Sequence, residues 1–380
     1  MLKKTTLNEI LVITPSFSGG SWIATEKILG KLSLKAKIIV VGLGNVFNRN
    51  KRFKYFYIPY PKYEIWGAFH SKSPLFAFFW NIPLTFYFFT ILLLKRPKLV
   101  IANGFSSSLL ISPLIKMTGA NFIVLYHGNI IGFMSKKTQK VAEFLSKFVD
   151  LVVVNSRGSF EDIKVIIPKE KILINEHFAE KLFFNDFNQD RKVSSSFKIS
   201  YIGSLNKEKL FYPLVEISRK LKNNKQFEFT FAGIGTIRSE IETLSKESSN
   251  ISYLGYISDQ RKLKKLYQES DLVWSAADET YLTMPAVESL ATGTPIIIPK
   301  YPALFQKRNL RVRIKKDLVP DKIGWLVDTK NTESCYRLIR SIQKNGITQS
   351  MKNNCYEYAK KRYNPSNLDQ TIEKINFYLK

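Results

Sequence analysis

Short apolar runs alternate with helical patterns along the chain, and the alternation occurs twice. The runs of the first half are Ile10–Ile13, Lys37–Val41, Tyr55–Ile58, Leu99–Ala102, Phe122–Tyr126, Leu151–Val154 and Ile172–Asn175. Those of the second half are Lys198–Ile202, Phe227–Ala232, Ile251–Leu254, Leu272–Trp274 and Pro295–Ile298. Continuous apolar strands between helices are typical of parallel sheets covered on both faces. We therefore predict an α/β fold with two doubly wound, Rossmann-like domains facing across a cleft.

The helical patterns and one polar segment give the predicted domain limits. The helical patterns are Thr25–Leu34, Ser135–Phe148, Leu210–Leu221, Thr236–Glu247, Asp259–Glu269 and Ala286–Ala291. Ser258 is the predicted N-cap of its helix, and Gly293 the residue that ends the last of these helices. The polar segment Asn185–Ser196 predicts a linker, so we expect domains at 1–190 and 197–347. Residues 348–380 are helical in pattern around Pro365 and are expected to cross back to the first domain.

One apolar run is longer than the others. Leu75–Leu94 holds 20 residues without a charge, about the length at which a helix crosses a bilayer. Asn81 and Pro83 interrupt the run, and Lys95 begins a basic cluster directly after it. We interpret the segment as a helix that begins near Pro83 and packs on a sheet. Three settings stay open for this helix: a membrane interface, the protein interior and a transmembrane span.

The positive charge is concentrated in the first third of the chain. The 380 residues include 58 Lys and Arg against 31 Asp and Glu, which gives a net charge of +27. Residues 1–140 hold 19 basic residues and three acids, a net charge of +16. Sixteen aromatic residues lie between Phe53 and Phe89, within or beside the long apolar run. Proteins that bind nucleic acid usually space their aromatic rings along a sheet or groove. The combination therefore favours an anionic membrane surface and disfavours nucleic acid as the partner.

The composition also bears on metals and on the cellular compartment. Two cysteines, Cys335 and Cys355, cannot build a disulfide framework or a four-ligand zinc site, and three histidines disfavour a histidine-rich metal centre. We therefore expect no metal and no cofactor. The N-terminal segment lacks the apolar region and cleavage site of a signal peptide. For that reason we expect a cytoplasmic protein, and we expect it to be peripheral on the inner face of the cell membrane.

Candidate binding residues of the first half follow predicted strands, because ligands of open parallel sheets bind beyond the carboxyl ends of the strands. Gly19 and Gly20 precede a helix, where glycines let the backbone approach an anion. An ordinary tight turn is the alternative. His127 follows the fifth strand and can bond a substrate hydroxyl or move a proton near neutral pH. A core histidine bonded to backbone is the alternative.

Two segments of the second half carry further candidates. Gly203, Ser204, Lys207 and Lys209 form a glycine turn with lysines at a helix start, a pattern that binds diphosphate. By itself this pattern is weak, because lysine is abundant in the chain.

The most informative segment runs from Asp271 to Pro295. It contains an acidic loop with Glu279, followed by Pro285 at the predicted first position of a helix. The amides near Thr283 and Met284 are expected to face an anion. Glu288 is expected in the first turn, where it could accept from ribose hydroxyls. A solvated or capping glutamate is the alternative.

In this segment the sequence resembles the retaining, nucleotide-sugar-dependent glycosyltransferases of the group-4 type, which have the two-domain GT-B fold. The family pattern is E-G-F-G-x-P-x-x-E-A-x-A-x-G-T-P. Six residues match it in register: Pro285, Glu288, Ala291, Gly293, Thr294 and Pro295. The first glutamate of the pattern falls on Thr280, with Glu279 one place earlier, and Tyr281 and Thr283 replace both glycines. The resemblance covers nearly the whole chain.

Other landmarks of that family match elsewhere. Gly19 and Gly20 resemble the glycine loop that touches the donor phosphate, and His127 resembles the histidine near the transferred sugar. In the family stretch G-R-L-x-x-x-K-G, three residues match: Gly203, Leu205 and Lys209. Ser204 replaces the arginine of this stretch, and Lys207 is the obvious substitute for the missing cation.

The resemblance implies a metal-independent hexosyl transfer from a nucleotide-diphosphate sugar donor to a glycan or lipid-linked acceptor. It implies catalytic roles for His127, Lys209 and Glu279. The residues implied in nucleotide-sugar binding are Gly19, Gly20, Gly203, Ser204, Lys207, Thr283, Met284 and Glu288. Three alternatives stay open: a catalytically inactive GT-B protein that binds partners, a GT-B sugar-nucleotide epimerase and a nucleic-acid-binding module.

Overall fold

A computed structural model describes residues 8–14, 19–43, 50–58, 86–104, 109, 111–127, 136–187, 195–275, 282–301 and 319–379. The chain divides into two compact units. One consists of Met1–Glu176 together with Leu368–Lys380, and the other of His177–Asn367. Each unit contains one parallel sheet with helices between its strands. The predicted α/β class with two parallel-sheet domains is therefore confirmed.

The first unit is built on a seven-stranded sheet in the order β3-β2-β1-β4-β5-β6-β7. Its strands are β1 (Asn8–Thr14), β2 (Ala36–Leu43), β3 (Phe53–Ile58), β4 (Leu99–Asn103), β5 (Asn121–Tyr126), β6 (Leu151–Val154) and β7 (Ile172–Ile174). The helices described between them are α1 (Gly19–Leu32), α2 (86–95), α3 (Ser112–Met117), α4 (Lys136–Ser146) and α5 (Arg157–Ile163). All seven apolar runs predicted here form strands, with ends that differ from the predicted ones by at most two residues.

The second unit has a six-stranded sheet in the order β10-β9-β8-β11-β12-β13. Its strands are β8 (Phe197–Ile202), β9 (Phe227–Ala232), β10 (Ile251–Tyr253), β11 (Leu272–Trp274), β12 (Ile296–Pro299) and β13 (Gly324–Val327). Its helices are α6 (Lys181–Phe184), α7 (Tyr212–Lys220), α8 (Arg238–Lys246), α9 (Gln260–Glu269), α10 (Met284–Ala291), α11 (Thr332–Asn345) and α12 (Gln349–Arg362). The edge strand β13 was not predicted, because its four residues begin with glycine and are too few to show a period.

The boundary between the units lies at Glu176, ahead of the polar segment Asn185–Ser196 that predicted a linker. The residues after the boundary already pack in the second unit. The Ala179 amide donates to the Tyr363 carbonyl at 3.0 Å, and Phe183 is fully buried in the core of that unit. The polarity of a segment therefore did not mark the point where the chain leaves the first sheet.

The sheet of the first unit is buried on both faces. Leu11 and Ile13 of β1 join one core cluster with Val100 of β4. Ile10 and Val12 point to the opposite face, since side chains alternate along a strand, and they too are fully buried. Burial on both faces explains why these strands appear in the sequence as unbroken apolar runs.

Several helix ends differ from the predicted ones. Asp259, and not Ser258, is the N-cap of α9, and its carboxylate accepts from the Arg261 amide at 2.8 Å. Helix α1 begins at Gly19, six residues before the predicted Thr25. Gly293 has a φ of +81° just after α10, as expected of a glycine that ends a helix. The prediction for Gly293 is therefore confirmed.

Helix α2 is the described part of the long apolar segment, whose residues 75–85 lie outside the described ones. Phe88 and Leu92 are buried in the core of the first unit. Phe86, Leu93 and Leu94 are exposed on the other side of the helix. Within the described part of the chain, no helix combines the length and apolarity that a membrane span requires.

The C-terminal residues divide between the two units. Helix α12 stays in the second unit, where Cys355 and Ala359 are buried in its core. The last helix, α13 (Asn367–Phe377), belongs to the first unit from Leu368 onward. Asn8 Nδ2 donates to the Leu379 carbonyl at 3.0 Å, and Asn121 Nδ2 donates to the Tyr378 carbonyl at 2.7 Å. The predicted return of the chain to the first domain thus involves only its last helix.

Candidate nucleotide-sugar site

Each sheet reverses its strand order once, and the sequence-predicted residues lie near those two points. The reversal occurs between β1 and β4 in the first unit and between β8 and β11 in the second. Ligands of doubly wound sheets bind beyond the carboxyl ends of the strands at such a point. Gly19 and Gly20 follow β1, and His127 directly follows β5, the neighbour of β4. The other candidates follow β8 and β11.

At the first switch point, four uncharged side chains form a chain of polar contacts. Asn103 Nδ2, at the end of β4, donates to Thr14 Oγ1 at 3.0 Å, and Asn103 Oδ1 accepts from Thr25 Oγ1 at 3.0 Å. Thr25 Oγ1 also lies 3.4 Å from His127 Nε2. Thr14, Thr25 and Asn103 are all buried. The sequence singled out only His127 of this group, because the other three belong to segments far apart in the chain.

The surroundings of His127 determine its chemistry. Burial lowers the pKa of His127 to about 4, so the ring is neutral at pH 7. Because the Thr25 hydroxyl donates to Asn103, its oxygen is available to accept from His127 Nε2. The other ring nitrogen, Nδ1, would then be an unprotonated acceptor. It is buried and has no hydrogen-bond partner among the described residues. His127 therefore suits a hydrogen bond from a hydroxyl, and not proton transfer near neutral pH.

Two asparagines continue the row that His127 begins. Tyr126 pairs with Val154, and Val154 with Ile174. Since adjacent strands lie about 4.8 Å apart, the residues that follow these three, His127, Asn155 and Asn175, lie side by side at the carboxyl edge of the sheet. Asn155 Nδ2 and Asn175 Oδ1 are buried and, like His127 Nδ1, lack a hydrogen-bond partner within the described ranges. One donor and two acceptors thus belong to adjacent positions along this edge of the sheet.

Gly19 and Gly20 are the first two residues of α1, which has no acidic residue in its first turn. The first amides of a helix have no carbonyl partner within it, and the helix dipole favours an anion there. The predicted anion contact is therefore compatible with their place at the start of the helix. The preceding residues 15–18 lie outside the described ones.

At the second switch point, the loop after β8 is tied to its neighbour after β9. A side-chain carbon on Gly233, which has a φ of +141°, would lie 1.8 Å from the Gly203 carbonyl oxygen, so only glycine fits there. Asn206 Nδ2 donates to Ser204 Oγ at 2.7 Å, and Asn206 Oδ1 accepts from the Thr236 amide at 2.8 Å. These contacts fix the loop that carries Ser204. The Ser204 hydroxyl accepts its hydrogen bond from a residue of the same loop.

Lys207 and Lys209 lie on a single turn of 3-10 helix directly after Ser204 and Asn206. Lys207 is exposed, and its Nζ lies 5.1 Å from the centroid of the Tyr212 ring. Lys209 is half-buried. Two ammonium groups on one turn beyond β8 can neutralise a diphosphate at this edge of the sheet. Of the two, Lys209 is shielded from water to a greater degree.

The segment after β11 ends in the N-terminus of α10. Ser275 Oγ and Thr283 Oγ1 lie 2.8 Å apart. Thr283 is the N-cap residue, and its side chain makes no capping hydrogen bond to the helix. The first amides of α10 are thus left to other acceptors, as the predicted roles of Thr283 and Met284 require. Glu279 and its neighbours at 276–281 lie outside the described residues.

Glu288 is the fifth residue of α10, one residue further along than predicted, because the helix begins at Met284 and Pro285 is its second residue. The side chain is buried, with 7% of its surface exposed. Tyr267 of α9 donates its hydroxyl proton to Glu288 Oε2 at 3.1 Å. Glu288 is therefore a partnered buried carboxylate, and not a solvated or capping one.

The described residues contain no cluster of three or more His, Cys, Asp or Glu side chains suited to a metal ion. In the second unit, the described candidates are two lysines after β8, the Ser204 hydroxyl, the N-terminus of α10 and the Glu288 carboxylate. Lysines and helix amides supply charge and hydrogen bonds that suit a nucleoside diphosphate.

Comparison with known proteins bears directly on this site. The family model of the glycosyl transferases group 1 matches residues 183–362. These residues are most of the second unit. The match covers 180 of the 380 residues, so the similarity to this family concerns that part of the chain.

One curated relative is an uncharacterized glycosyltransferase of Methanocaldococcus jannaschii. It is 24% identical over 213 residues, which are 54% of this chain, and the match spans only half of the relative's length.

The solved structures resemble the whole chain. HepE of Anabaena in complex with UDP has a TM-score of 0.69 at 16% identity, with 97% of this chain and 99% of that one covered. Sucrose-phosphate synthase of Thermosynechococcus elongatus has a TM-score of 0.70 at 15% identity, with 98% and 99% covered. At these identities the likeness concerns the fold, and it matches the GT-B architecture expected from the sequence.

Within this glycosyltransferase-like fold, sequence reasoning missed Thr14, Thr25, Asn103 and Tyr267. Thr14 and Asn103 were not included in the apolar runs because they are the polar residues that end their strands. Tyr267 falls inside a predicted helix, 21 residues from Glu288. A polar residue at the end of an apolar run was a usable signal for the first two. No local signal connects Tyr267 with Glu288.

Proposed function

We propose that this protein is a glycosyltransferase that moves a hexose-type sugar, with retention, from a nucleotide-diphosphate sugar to a glycan or lipid-linked acceptor. One observation carries the proposal. The loop with Lys207 and Lys209 and the N-terminus of α10 leave neighbouring strands, β8 and β11, at the switch point of the second sheet. The match of the same unit to the group 1 family model supports it.

Lys209, Lys207 and the first amides of α10 would hold the diphosphate of the donor. As the bond between the anomeric carbon and the diphosphate oxygen breaks, negative charge grows on that oxygen. Fixed positive charges and amide donors stabilise it most at that stage. The acceptor oxygen forms the new bond to the anomeric carbon from the face of the leaving group, and its proton passes to the diphosphate. No protein nucleophile is required by this scheme.

Glu288 would accept hydrogen bonds from the ribose, and Gly19 and Gly20 would add backbone contacts to the donor phosphate. His127 would accept a hydrogen bond from a hydroxyl of the sugar through Nδ1. Asn155 and Asn175, in register beside His127, would bond further sugar hydroxyls. Glu279 keeps the role suggested by the family pattern, as a carboxylate that contacts the donor sugar.

The test is an assay of purified protein with a panel of nucleotide sugars and a membrane extract as the source of acceptor. UDP-glucose belongs in the panel because HepE was solved in complex with it. We expect transfer or slow hydrolysis of one donor, with retained anomeric configuration by NMR. A binding-only protein would bind a nucleoside diphosphate in calorimetry without turnover, and an epimerase would convert the sugar without an acceptor.

We further propose that the acceptor is reached at an anionic membrane on the inner face of the cell membrane. Phe86 and Leu94 of α2 are 72% and 76% exposed. On α4, Val141 and Phe144 are 54% and 57% exposed, and the Lys147 Nζ lies 5.7 Å from the centroid of the Phe144 ring. Exposed apolar side chains among lysines suit the interface of an anionic bilayer.

Both helices lie on the same side of the first sheet. Phe88 and Leu92 of α2 and Ala142 of α4 enter one core cluster with Val100 of β4 and Val124 of β5. The exposed faces of α2 and α4 therefore belong to one helical layer. Three lysines on the exposed part of α4, at positions 136, 137 and 140, add positive charge to this layer.

Sedimentation with liposomes tests the membrane proposal independently of catalysis. The protein is expected to pellet with phosphatidylglycerol vesicles at low salt, less so at high salt, and not with phosphatidylcholine vesicles. Leu94→Glu should weaken pelleting about tenfold. Leu34→Glu is the matched control, since Leu34 is 71% exposed outside these helices. Equal loss in both variants, or no pelleting of the wild type, would refute the proposal.

A further inference from the structure

The buried carboxylate of Glu288 has a specific partner in the neighbouring helix. Ala286, Val287 and Leu290 of α10 are fully buried, so the carboxylate lies among apolar side chains. A buried carboxylate is costly unless hydrogen-bond donors replace water. The hydroxyl of Tyr267 is such a donor, at 3.1 Å from Glu288 Oε2.

Tyr267 is itself held in place at three points. Its side chain is fully buried and makes an edge contact with the Phe183 ring, with centroids 6.0 Å apart. Its carbonyl accepts from Thr294 Oγ1 at 2.8 Å. Its hydroxyl reaches Glu288. Since Thr294 and Glu288 lie on either side of the end of α10, the tyrosine connects both parts of the matched motif.

The proton of the Tyr267 hydroxyl stays on the tyrosine. Burial, and secondarily the charge of Glu288, raise the pKa of Tyr267 well above its usual range. The hydroxyl is therefore a hydrogen-bond donor to Glu288 across the whole pH range in which the protein would work.

We propose that Tyr267 is a positioning residue for nucleotide-sugar binding: its hydroxyl fixes the orientation of the Glu288 carboxylate. The inference rests on the proposed function, in which Glu288 binds the ribose. With Oε2 held by Tyr267, the carboxylate cannot rotate freely, and its orientation is set before the nucleotide arrives. Preorganisation of this kind improves binding because less ordering remains to be done.

The variant Tyr267→Phe removes the donor and keeps the ring. We expect KM for the donor sugar to rise about tenfold while kcat changes less than threefold, as for the loss of one hydrogen bond made equally in the ground and transition states. A purely structural role would lower stability without this difference between KM and kcat.

Tyr378→Phe is the matched control. The Tyr378 hydroxyl also donates to an oxygen within the protein, the Asp150 carbonyl at 3.4 Å, but Asp150 lies just before β6, at the edge of the first sheet opposite to His127. This control is expected to leave KM unchanged. If Tyr267→Phe behaves like Tyr378→Phe, the positioning role is wrong.

A measurement without substrate separates this inference from the proposed function. The difference in Tm between wild type and Tyr267→Phe should shrink when both proteins also carry Glu288→Ala, because the acceptor of the hydroxyl is then absent. An equal difference in both backgrounds would overturn the pairing. If the difference shrinks but no nucleotide sugar binds to the wild type in calorimetry, the pairing stands and the proposed function fails.

Discussion

The two sheets share the order of their first six strands, and the two units differ in the chemistry that they place at the switch point. In the first unit, the polar contacts run through uncharged groups: Thr14, Asn103, Thr25 and a histidine whose pKa is lowered to about 4. In the second, two lysines follow β8 and an uncapped helix begins after β11. The fold therefore determines only the position of a binding site, at the carboxyl ends of the strands. The side chains at that position determine whether the site suits hydroxyls or phosphates.

The largest effect is expected at the charged switch point. Lys209→Ala should lower kcat roughly 10²–10³-fold, because a preorganised charge at the leaving diphosphate is lost. The measurement is steady-state kinetics with the preferred donor. Lys246→Ala, in the last turn of α8, is the matched control and should be silent. Turnover of Lys209→Ala near the wild-type rate would show that the second unit does not act through this charge.

A smaller and different effect is expected at the neutral switch point. Thr25→Val removes the hydroxyl between Asn103 and His127 and should lower kcat/KM about tenfold, the equivalent of about 1.4 kcal/mol. Because no net charge is lost, the ratio to wild type should stay constant between low and high salt. Thr118→Val is the control, since that hydroxyl bonds only the Ile115 carbonyl among the contacts described. A strongly salt-dependent loss would show that the first unit also works by charge.

Lys207 should contribute less than Lys209, although both lie on the same turn. It is exposed and lies over the Tyr212 ring, and exposed charges contribute about 1 kcal/mol or less. Lys207→Ala is therefore expected to change kcat/KM about fivefold, with a loss that diminishes in high salt. An effect equal to that of Lys209→Ala would mean that the two lysines share the diphosphate equally.

The smallest effect concerns the stability of the first unit. His127 takes up its proton near pH 4 when folded, but near 6.5 when unfolded. The unfolded chain therefore binds more protons between these values, so stability falls as the pH decreases from about 6.5 to about 4. In thermal scans over this pH range, the Tm of His127→Gln should decrease by a few degrees less than the Tm of the wild type. An unchanged slope would indicate that His127 is accessible to water.

The sequence determined the local elements because their signals are local. Every apolar run that was predicted as a strand formed one, since a strand buried on both faces needs an unbroken run such as Ile10–Ile13. Gly293 was recognised because a helix end with positive φ needs a glycine. The lysines after β8 and the residues around Glu288 were found because each set lies within one short segment.

The tertiary structure decided what depends on residues distant in the sequence. Strand order brings Asn103 to Thr25, 78 positions away, and helix packing brings Tyr267 to Glu288. The domain boundary at Glu176 and the return of α13 to the first unit likewise follow from packing, since Phe183 and Leu379 are held by partners far along the chain. The protonation state and the burial of site residues depend on such contacts, which no local sequence pattern shows. For that reason the sequence identified His127, and only the fold made it a neutral acceptor.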